Sequence, residues 1–299
     1  MKTILITGAN GFTGQHACRH FVQKGLQVAA VSRYKNSSVP GVHSHIADLT
    51  KVEQVNALIK MTQPDYVLHL AGKNAVGESW LEPLAYMESN MMSTLYLLDA
   101  LRSVPQCRVV VIGSMLSYVP ADGQAPPSPY SMSKSFQTWG ALGWAHLFQQ
   151  QIMIAKSSNL VGPGPSNGIC GLLARASVEA EAGTRTAPFK LSSLIEERDY
   201  LDVRDAVAAY ERILEYGIPG SVYPVASGLN RTLGDIVNAL KPLTEKELPI
   251  QSDQLSGYVP PAPIQTQLTR DLGWSPAFAL EDSLRDALVY FRQLGLTKR

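Results

Sequence analysis

The sequence is short of several things, and each shortage removes a class of function. Only three cysteines, Cys18, Cys107 and Cys170, occur in 299 residues. Their count is odd and their spacing fits no metal-ligand pattern, so neither a disulfide framework nor a metal site is expected. They read as small buried residues of a cytoplasmic protein. Lys and Arg total 26 against 25 Asp and Glu, a net charge of +1. So even a balance offers no footprint for nucleic acid or an anionic membrane surface. No apolar run approaches the ~20 residues of a membrane-spanning helix. The chain enters a strand pattern almost at once, so no signal peptide is expected. Repeats and low-complexity stretches are also lacking. Hydrophobic residues make up 45%, ample for a core.

What is present begins at the N-terminus. Ile4-Leu5-Ile6 runs into Thr7-Gly8-Ala9-Asn10-Gly11-Phe12-Thr13-Gly14, and an amphipathic segment over residues 15–24 stops at Gly25. That is a buried strand, a glycine turn and a helix opening. Gly8 permits the turn, Gly11 keeps no side chain between backbone and phosphate, and Gly14 lets helix and strand approach. Asn10, Phe12 and Thr13 complete a seat for a dinucleotide pyrophosphate at a helix N-terminus. A second strand over residues 27–31 ends in Ser32-Arg33-Tyr34-Lys35. An Asp or Glu there would accept from a ribose 2′-OH, and none is present. Ser32, Arg33 and Lys35 suit a 2′-phosphate instead, unless they form only a solvated basic loop. The expected cofactor is NADP(H), with NAD(H) as the other possibility.

Further strands are expected over residues 42–46, 66–72, 108–112 and 151–157, with helices over 51–61, 84–102, 130–148 and 280–294. Asp48-Leu49-Thr50 caps the helix that follows it. Leu70-Ala71-Gly72 ends the fourth strand with little side-chain bulk against a cofactor. His69 lies in an apolar run and reads as a packed core residue. Asn90 is either a surface residue or a buried side chain that must find partners. Ser114 closes the fifth strand, at the end where ligands bind in such sheets. Tyr130 and Lys134 are four apart at a helix start and share one face. An ammonium beside a phenol is expected to lower its pKa. Ser114 polarising a carbonyl, Tyr130 moving the proton and Lys134 tuning Tyr130 and holding the ribose make a hydride-transfer site.

Together these motifs resemble the short-chain dehydrogenase/reductase superfamily in its extended branch, and within it the NDP-sugar epimerase/dehydratase/reductase family. Val76-Gly-Glu-Ser-Trp80, Glu197-Arg-Asp-Tyr-Leu-Asp-Val-Arg-Asp205, Gly220-Ser-Val-Tyr-Pro-Val-Ala-Ser-Gly228 and Leu272-Gly-Trp-Ser-Pro276 are most similar to the GDP-4-keto-6-deoxymannose reductase group. The resemblance implies that Asp48 and Leu49 line the adenine and that Asn90 helps order the active site. It implies that Lys73, Ser79, Asn159, Arg175, Arg185 and Arg198 face a nucleotide-diphosphate sugar. Arg198 is apt for a pyrophosphate, or for an ion pair with Asp199 or Asp202. Dehydratases of the family carry an acid just after the catalytic hydroxyl, where this chain has Met115 and Leu116. Three further positions depart from the family: Lys156 for an Arg, Glu179 for a cation, and Tyr258-Val-Pro-Pro261 for an Arg-Pro segment.

The implied architecture is α/β. A doubly wound parallel-sheet Rossmann core is expected from 1–160, 196–228 and 263–299, with a small discontinuous substrate lobe from 161–195 and 229–262. The C-terminal helix is expected to sit on the outside. The expected activity is NADPH-dependent reduction at C4 of a nucleotide-activated 4-keto-6-deoxy sugar, with a 4-epimerase holding NAD as the alternative. A cofactor-binding sensor would tend to lose Tyr130 and Lys134. A homodimer paired through the helices at 84–102 and 130–148 is also implied.

Overall fold

The computed structural model describes residues 1–34, 39–118, 125–253 and 258–296. Lys35 and the first part of the proline-rich loop lie outside them. In chain order the elements are β1 (Thr3–Thr7), α1 (Phe12–Gln23), β2 (Gln27–Ser32), β3 (Val42–Ile46), α2 (Val52–Thr62), β4 (Tyr66–His69), α3 (Val76–Leu81) and α4 (Pro83–Tyr86). A π-helical stretch (Met87–Met92) leads to α5 (Ser93–Ala100), β5 (Arg108–Ser114), α6 (Pro129–Leu147) and β6 (Gln151–Ser157). Then come β7 (Asn159–Val161), α7 (Ile169–Glu181), β8 (Phe189–Leu191), β9 (Glu197–Asp202), α8 (Val203–Tyr216) and β10 (Val222–Val225). Last are β11 (Asn230–Thr232), α9 (Leu233–Leu240), β12 (Ile250–Ser252), α10 (Gln267–Arg270) and α11 (Leu280–Leu296).

The chain forms two compact units. The first comprises Met1–Ser157, Val207–Val225 and Leu268–Trp274. Its seven strands lie in the order β10-β6-β5-β4-β1-β2-β3, and every neighbouring pair is parallel. The chain starts mid-sheet, winds out to β3, returns to β4 beside β1, and winds the other way. This is the doubly wound order, and β1 and β4 flank its switch point. The strands there are apolar runs buried on both faces: Ile4, Leu5, Ile6, Val67 and Leu68 are fully buried.

The second unit comprises Ser158–Ala206, Ala226–Gln267 and Ser275–Arg299. It holds the strand sets β11-β9-β7 and β12-β8. The expectation from sequence assigns 196–206, 226–228 and the C-terminal helix to the core. Pairing and packing put them elsewhere. β9 pairs with β7 and β11, and Leu284, Ala287, Leu288 and Phe291 of α11 join Cys170, Leu173 and Leu233 in the second unit's own core. The apolar face of α11 is therefore a core face. Asn159 likewise falls in β7 of this unit.

Two elements differ from expectation inside the first unit. β4 stops at His69, because the Ala71 amide turns away and donates to Thr7 Oγ1 at 3.1 Å. The helix expected over 84–102 is broken by the π-helical stretch, a device that inserts a residue into the turn. Asn90 sits in it, fully buried. The three cysteines are buried and free, and burial pushes each thiol up to about 12. Among the described residues no helix is long and apolar enough to cross a membrane.

Candidate active site

The glycine turn is built as its chemistry demands. Gly8 has φ +67°, and a Cβ there would meet the Ala71 amide nitrogen at 2.9 Å. The turn thus rests against the loop after β4, at the switch point. Gly11 caps α1 without a side-chain bond, and no acidic residue stands in the helix's first turn. The N–H groups of a twelve-residue helix are left to an anion, as a pyrophosphate seat requires. Asn10 donates from Nδ2 to the Tyr34 carbonyl at 3.2 Å, tying the turn to the end of β2. Phe12 packs edge-on to His16, and Thr13 is half-buried.

Gly14 is the tightest position. A Cβ there would stand 2.2 Å from the Gly8 carbonyl oxygen and 2.8 Å from Ala9 Cα. Both obstacles are backbone, so α1 would have to lift off β1. Gly14→Ala is expected to cost about 3 kcal/mol by overpacking, read as a lower denaturant midpoint, and to weaken dinucleotide binding with it.

At the end of β2, Ser32 Oγ donates to the Tyr34 carbonyl at 2.5 Å. Arg33 is exposed, with its guanidinium 5.9 Å from the Tyr34 ring centroid. Asp48, after β3, is taken up locally: it accepts from the Thr50 amide at 3.0 Å and hydroxyl at 2.8 Å. Against burial, those bonds and the charges of Lys51 and Arg33 hold its carboxyl below the usual range. Leu49 is buried, Leu70 and Ala71 are half-buried, and Gly72 is exposed beside Asn90.

Ser114, Tyr130 and Lys134 come together at the C-terminal end of β5. All three are buried, at 8%, 8% and 7% exposure, in a place that excludes most water. Ser128 caps α6 by accepting from the Ser131 amide at 3.1 Å, and Ser131 Oγ donates to the Leu116 carbonyl. The start of α6 is thereby fastened to the end of β5. Ser114 Oγ accepts from the Leu116 amide at 3.1 Å and hydrogen-bonds the Tyr130 phenol.

The electrostatics depart from expectation. Burial pushes the Tyr130 phenol above its ordinary value, and the Ser114 bond pulls it only part of the way back. Lys134 Nζ donates to the Ile112 carbonyl at 2.6 Å, and burial lowers its own pKa to about 7. The expected depression of Tyr130 by an adjacent ammonium is therefore corrected. The ammonium, shut away from water with no carboxylate beside it among the described residues, is itself destabilised.

Asn90 has the partners that a buried amide needs. Its Oδ1 accepts from the Lys73 amide at 2.8 Å, and its Nδ2 donates to the Lys73 carbonyl at 3.0 Å and to Ser133 Oγ at 2.9 Å. The surface alternative for this residue is excluded. Lys73 Nζ pairs with Glu78 at 2.9 Å and Glu82 at 2.7 Å, and those bonds raise its pKa. Ser79 is buried and donates to the Val76 carbonyl at 2.6 Å. Sequence reasoning missed Tyr86, whose ring stands edge-on to Tyr130 at 6.3 Å and whose hydroxyl bonds Glu78 at 2.9 Å. Its place four residues before Asn90, on the same helical face, was the available signal. His69 is a core histidine, as expected: it is fully buried between Thr7 and Thr94.

The second unit holds the remaining candidates. Asn159 is exposed and donates to the Asp199 carbonyl at 3.0 Å. Arg198 pairs with Glu196, not with Asp199 or Asp202. Asp199 is occupied by the Ser227, Gly228 and Leu229 amides, and Asp202 by Arg204 and Ser283. Arg175 and Arg185 both reach Glu179, at 3.0 and 3.3 Å.

The model of the NAD dependent epimerase/dehydratase family matches residues 4–226. The chain is 26% identical to GDP-6-deoxy-D-mannose reductase of Pseudomonas aeruginosa, across 96% of each chain. It is also 26% identical to the probable UDP-arabinose 4-epimerase 3 of Arabidopsis thaliana, across 95% of this chain and 79% of that one. Among solved structures, RMD from Pseudomonas aeruginosa complexed with NADPH superposes with a TM-score of 0.82 at 26% identity, covering 98% of this chain and 100% of that one. The UDP-glucose 4-epimerase of Thermus thermophilus complexed with NAD gives 0.83 at 23% identity over 97% and 99%, a likeness of fold. A family match over most of the chain makes it a member of that family.

Proposed function

We propose that this member of the NAD dependent epimerase/dehydratase family is an NADPH-dependent reductase acting at C4 of a nucleotide-activated 4-keto-6-deoxy sugar. The observation that carries the reading is the end of β2. Ser32 and Arg33 stand where an NAD enzyme places a carboxylate, and the nearby Asp48 is engaged by Thr50. NADPH, held by the glycine turn and Arg33, would supply the hydride equivalent for reduction at C4. Ser114 orients the C4 oxygen with a hydrogen bond, and Tyr130 gives it a proton, so hydride plus proton turn the carbonyl into an alcohol. Met115 and Leu116 offer no acid to expel a hydroxyl, which argues against dehydration. The reductase relative supports the same reading. Asn159 and Arg198 are the candidates for the sugar nucleotide's pyrophosphate.

Arg33→Ser tests the cofactor assignment. Losing charge-assisted bonds worth about 2 kcal/mol is expected to raise KM for NADPH roughly thirtyfold, with KM for NADH nearly unchanged. Equal effects on both would remove Arg33 from the 2′-phosphate. A panel of NDP-4-keto-6-deoxy sugars, followed by NADPH absorbance and product configuration, identifies the substrate.

The second reading is a 4-epimerase, favoured by the equal identity to the UDP-arabinose 4-epimerase. It requires NAD retained through purification and no net consumption of NADPH. In either case two copies are expected to pair: Leu84, Trp139 and Leu147 are exposed at 80%, 38% and 69% on the helices expected to meet. Light scattering should give twice 32.5 kDa.

A further inference from the structure

We infer that His69 is a positioning residue, the central joint of a hydrogen-bond chain that runs in one direction from the Ala71 amide to the Asn90 carbonyl. The inference rests on the hydride-transfer reading of Tyr130 and Lys134. The directions are forced from both ends. The Ala71 N–H can only donate, and it reaches Thr7 Oγ1 at 3.1 Å. The Asn90 carbonyl can only accept, and it takes the Thr94 hydroxyl at 2.7 Å. With its one proton spent there, Thr94 Oγ1 must accept from the ring nitrogen that faces it, His69 Nε2 at 2.8 Å, and from Gln137 Nε2 at 2.8 Å. His69 therefore carries its proton on Nε2. Nδ1 is left as an acceptor, and Thr7 Oγ1, 2.8 Å away, donates to it.

The chain joins the parts that must keep register. Thr7 immediately precedes the glycine turn. Ala71 belongs to the loop against which Gly8 rests. Gln137 lies on α6, three residues beyond Lys134. The side chain of Asn90 continues the link through Ser133 Oγ, which donates to the Tyr130 carbonyl at 2.8 Å. Protonation of His69 would place a second donor against Thr7 Oγ1, which already accepts from the Ala71 amide, and would reverse the Thr7–His69 bond. Burial, reinforced by the Lys134 ammonium, keeps the ring neutral, with its pKa lowered to about 3.

The test is the ring itself. In full-length protein labelled with ¹⁵N-histidine, long-range ¹H–¹⁵N correlation spectra should show His69 with the proton on Nε2, unchanged from pH 5 to 8. Thr94→Val removes the acceptor and should populate the Nδ1–H form. It should also lower kcat about tenfold through misplacement of α6, with KM for NADPH within about twofold. Thr94→Ser should restore both. Should Thr94→Val not fold, the wild-type tautomer and Thr94→Ser carry the test. An Nδ1-protonated or titrating His69 in the wild type, or Thr94→Val with wild-type tautomer and kcat, overturns the inference. The spectra need no turnover, so a wild type that reduces no keto sugar refutes the reductase reading while the tautomer still decides for or against the chain.

Discussion

Tyr130→Phe is expected to lower kcat for keto-sugar reduction about a thousandfold, the upper range for removing a positioned general acid, with NADPH affinity within about twofold. The phenol oxygen is the group at this site that can hand a proton to the nascent alkoxide. Ser114 hydrogen-bonds it, and burial keeps it protonated at neutral pH. Phenylalanine preserves the ring, its edge-on packing with Tyr86 and the start of α6. The loss should therefore appear in kcat, measured by stopped-flow NADPH oxidation, and not in the unfolding midpoint. A variant that keeps a tenth of the rate would mean that the proton comes from elsewhere.

Lys134→Met is expected to move activity and stability in opposite directions. Activity should fall by at least a hundredfold, because the hydride-transfer reading has this ammonium hold the cofactor's ribose and so position the nicotinamide. Stability should rise, because a buried ammonium with one carbonyl partner is costly. Its folded pKa, about 7, lies below the unfolded value of 10.5. Between those values the unfolded chain binds more protons, so stability climbs with pH across that window, and below about 7 the full penalty is present. Methionine abolishes the titration and fills a similar volume, but forfeits the bond to the Ile112 carbonyl, worth about 1 kcal/mol. The variant should exceed the wild type by about 2 kcal/mol at pH 6, with the gap closing toward pH 10. Denaturant titrations at pH 6 and pH 9 measure this. A variant less stable at pH 6 would show that Lys134 is held by more than the Ile112 carbonyl.

Much of the first unit was legible because its signals are local. A strand, a glycine turn and a helix are contiguous in Ile4 to Gly14, and Tyr130 and Lys134 share a helix face by spacing alone. Ser114 was legible because strand ends are where such sheets bind. Other features depend on contacts distant in sequence. Asn90 read as ambiguous because its partners, Lys73 and Ser133, are 17 and 43 residues away. The π-helical stretch that carries it has no pattern of its own. The extent of the second unit was misjudged because β9 and α11 have ordinary amphipathic patterns, and only their pairing shows which core they join. The inverted electrostatics of Tyr130 and Lys134 could not be read from spacing, since burial, not separation, sets both pKa directions.

The central claim is net reduction at C4. The measurement that tests it most directly is deuterium transfer from [4,4-²H₂]NADPH to GDP-4-keto-6-deoxymannose and its UDP- and dTDP-linked counterparts, read by mass and NMR spectra of the product. The account predicts one deuterium at C4 for each NADPH oxidised with at least one of these sugars, with the transfer about a thousandfold slower in Tyr130→Phe. Interconversion of C4 epimers by protein-bound NAD, with no label in the sugar and no NADPH consumed, would contradict it.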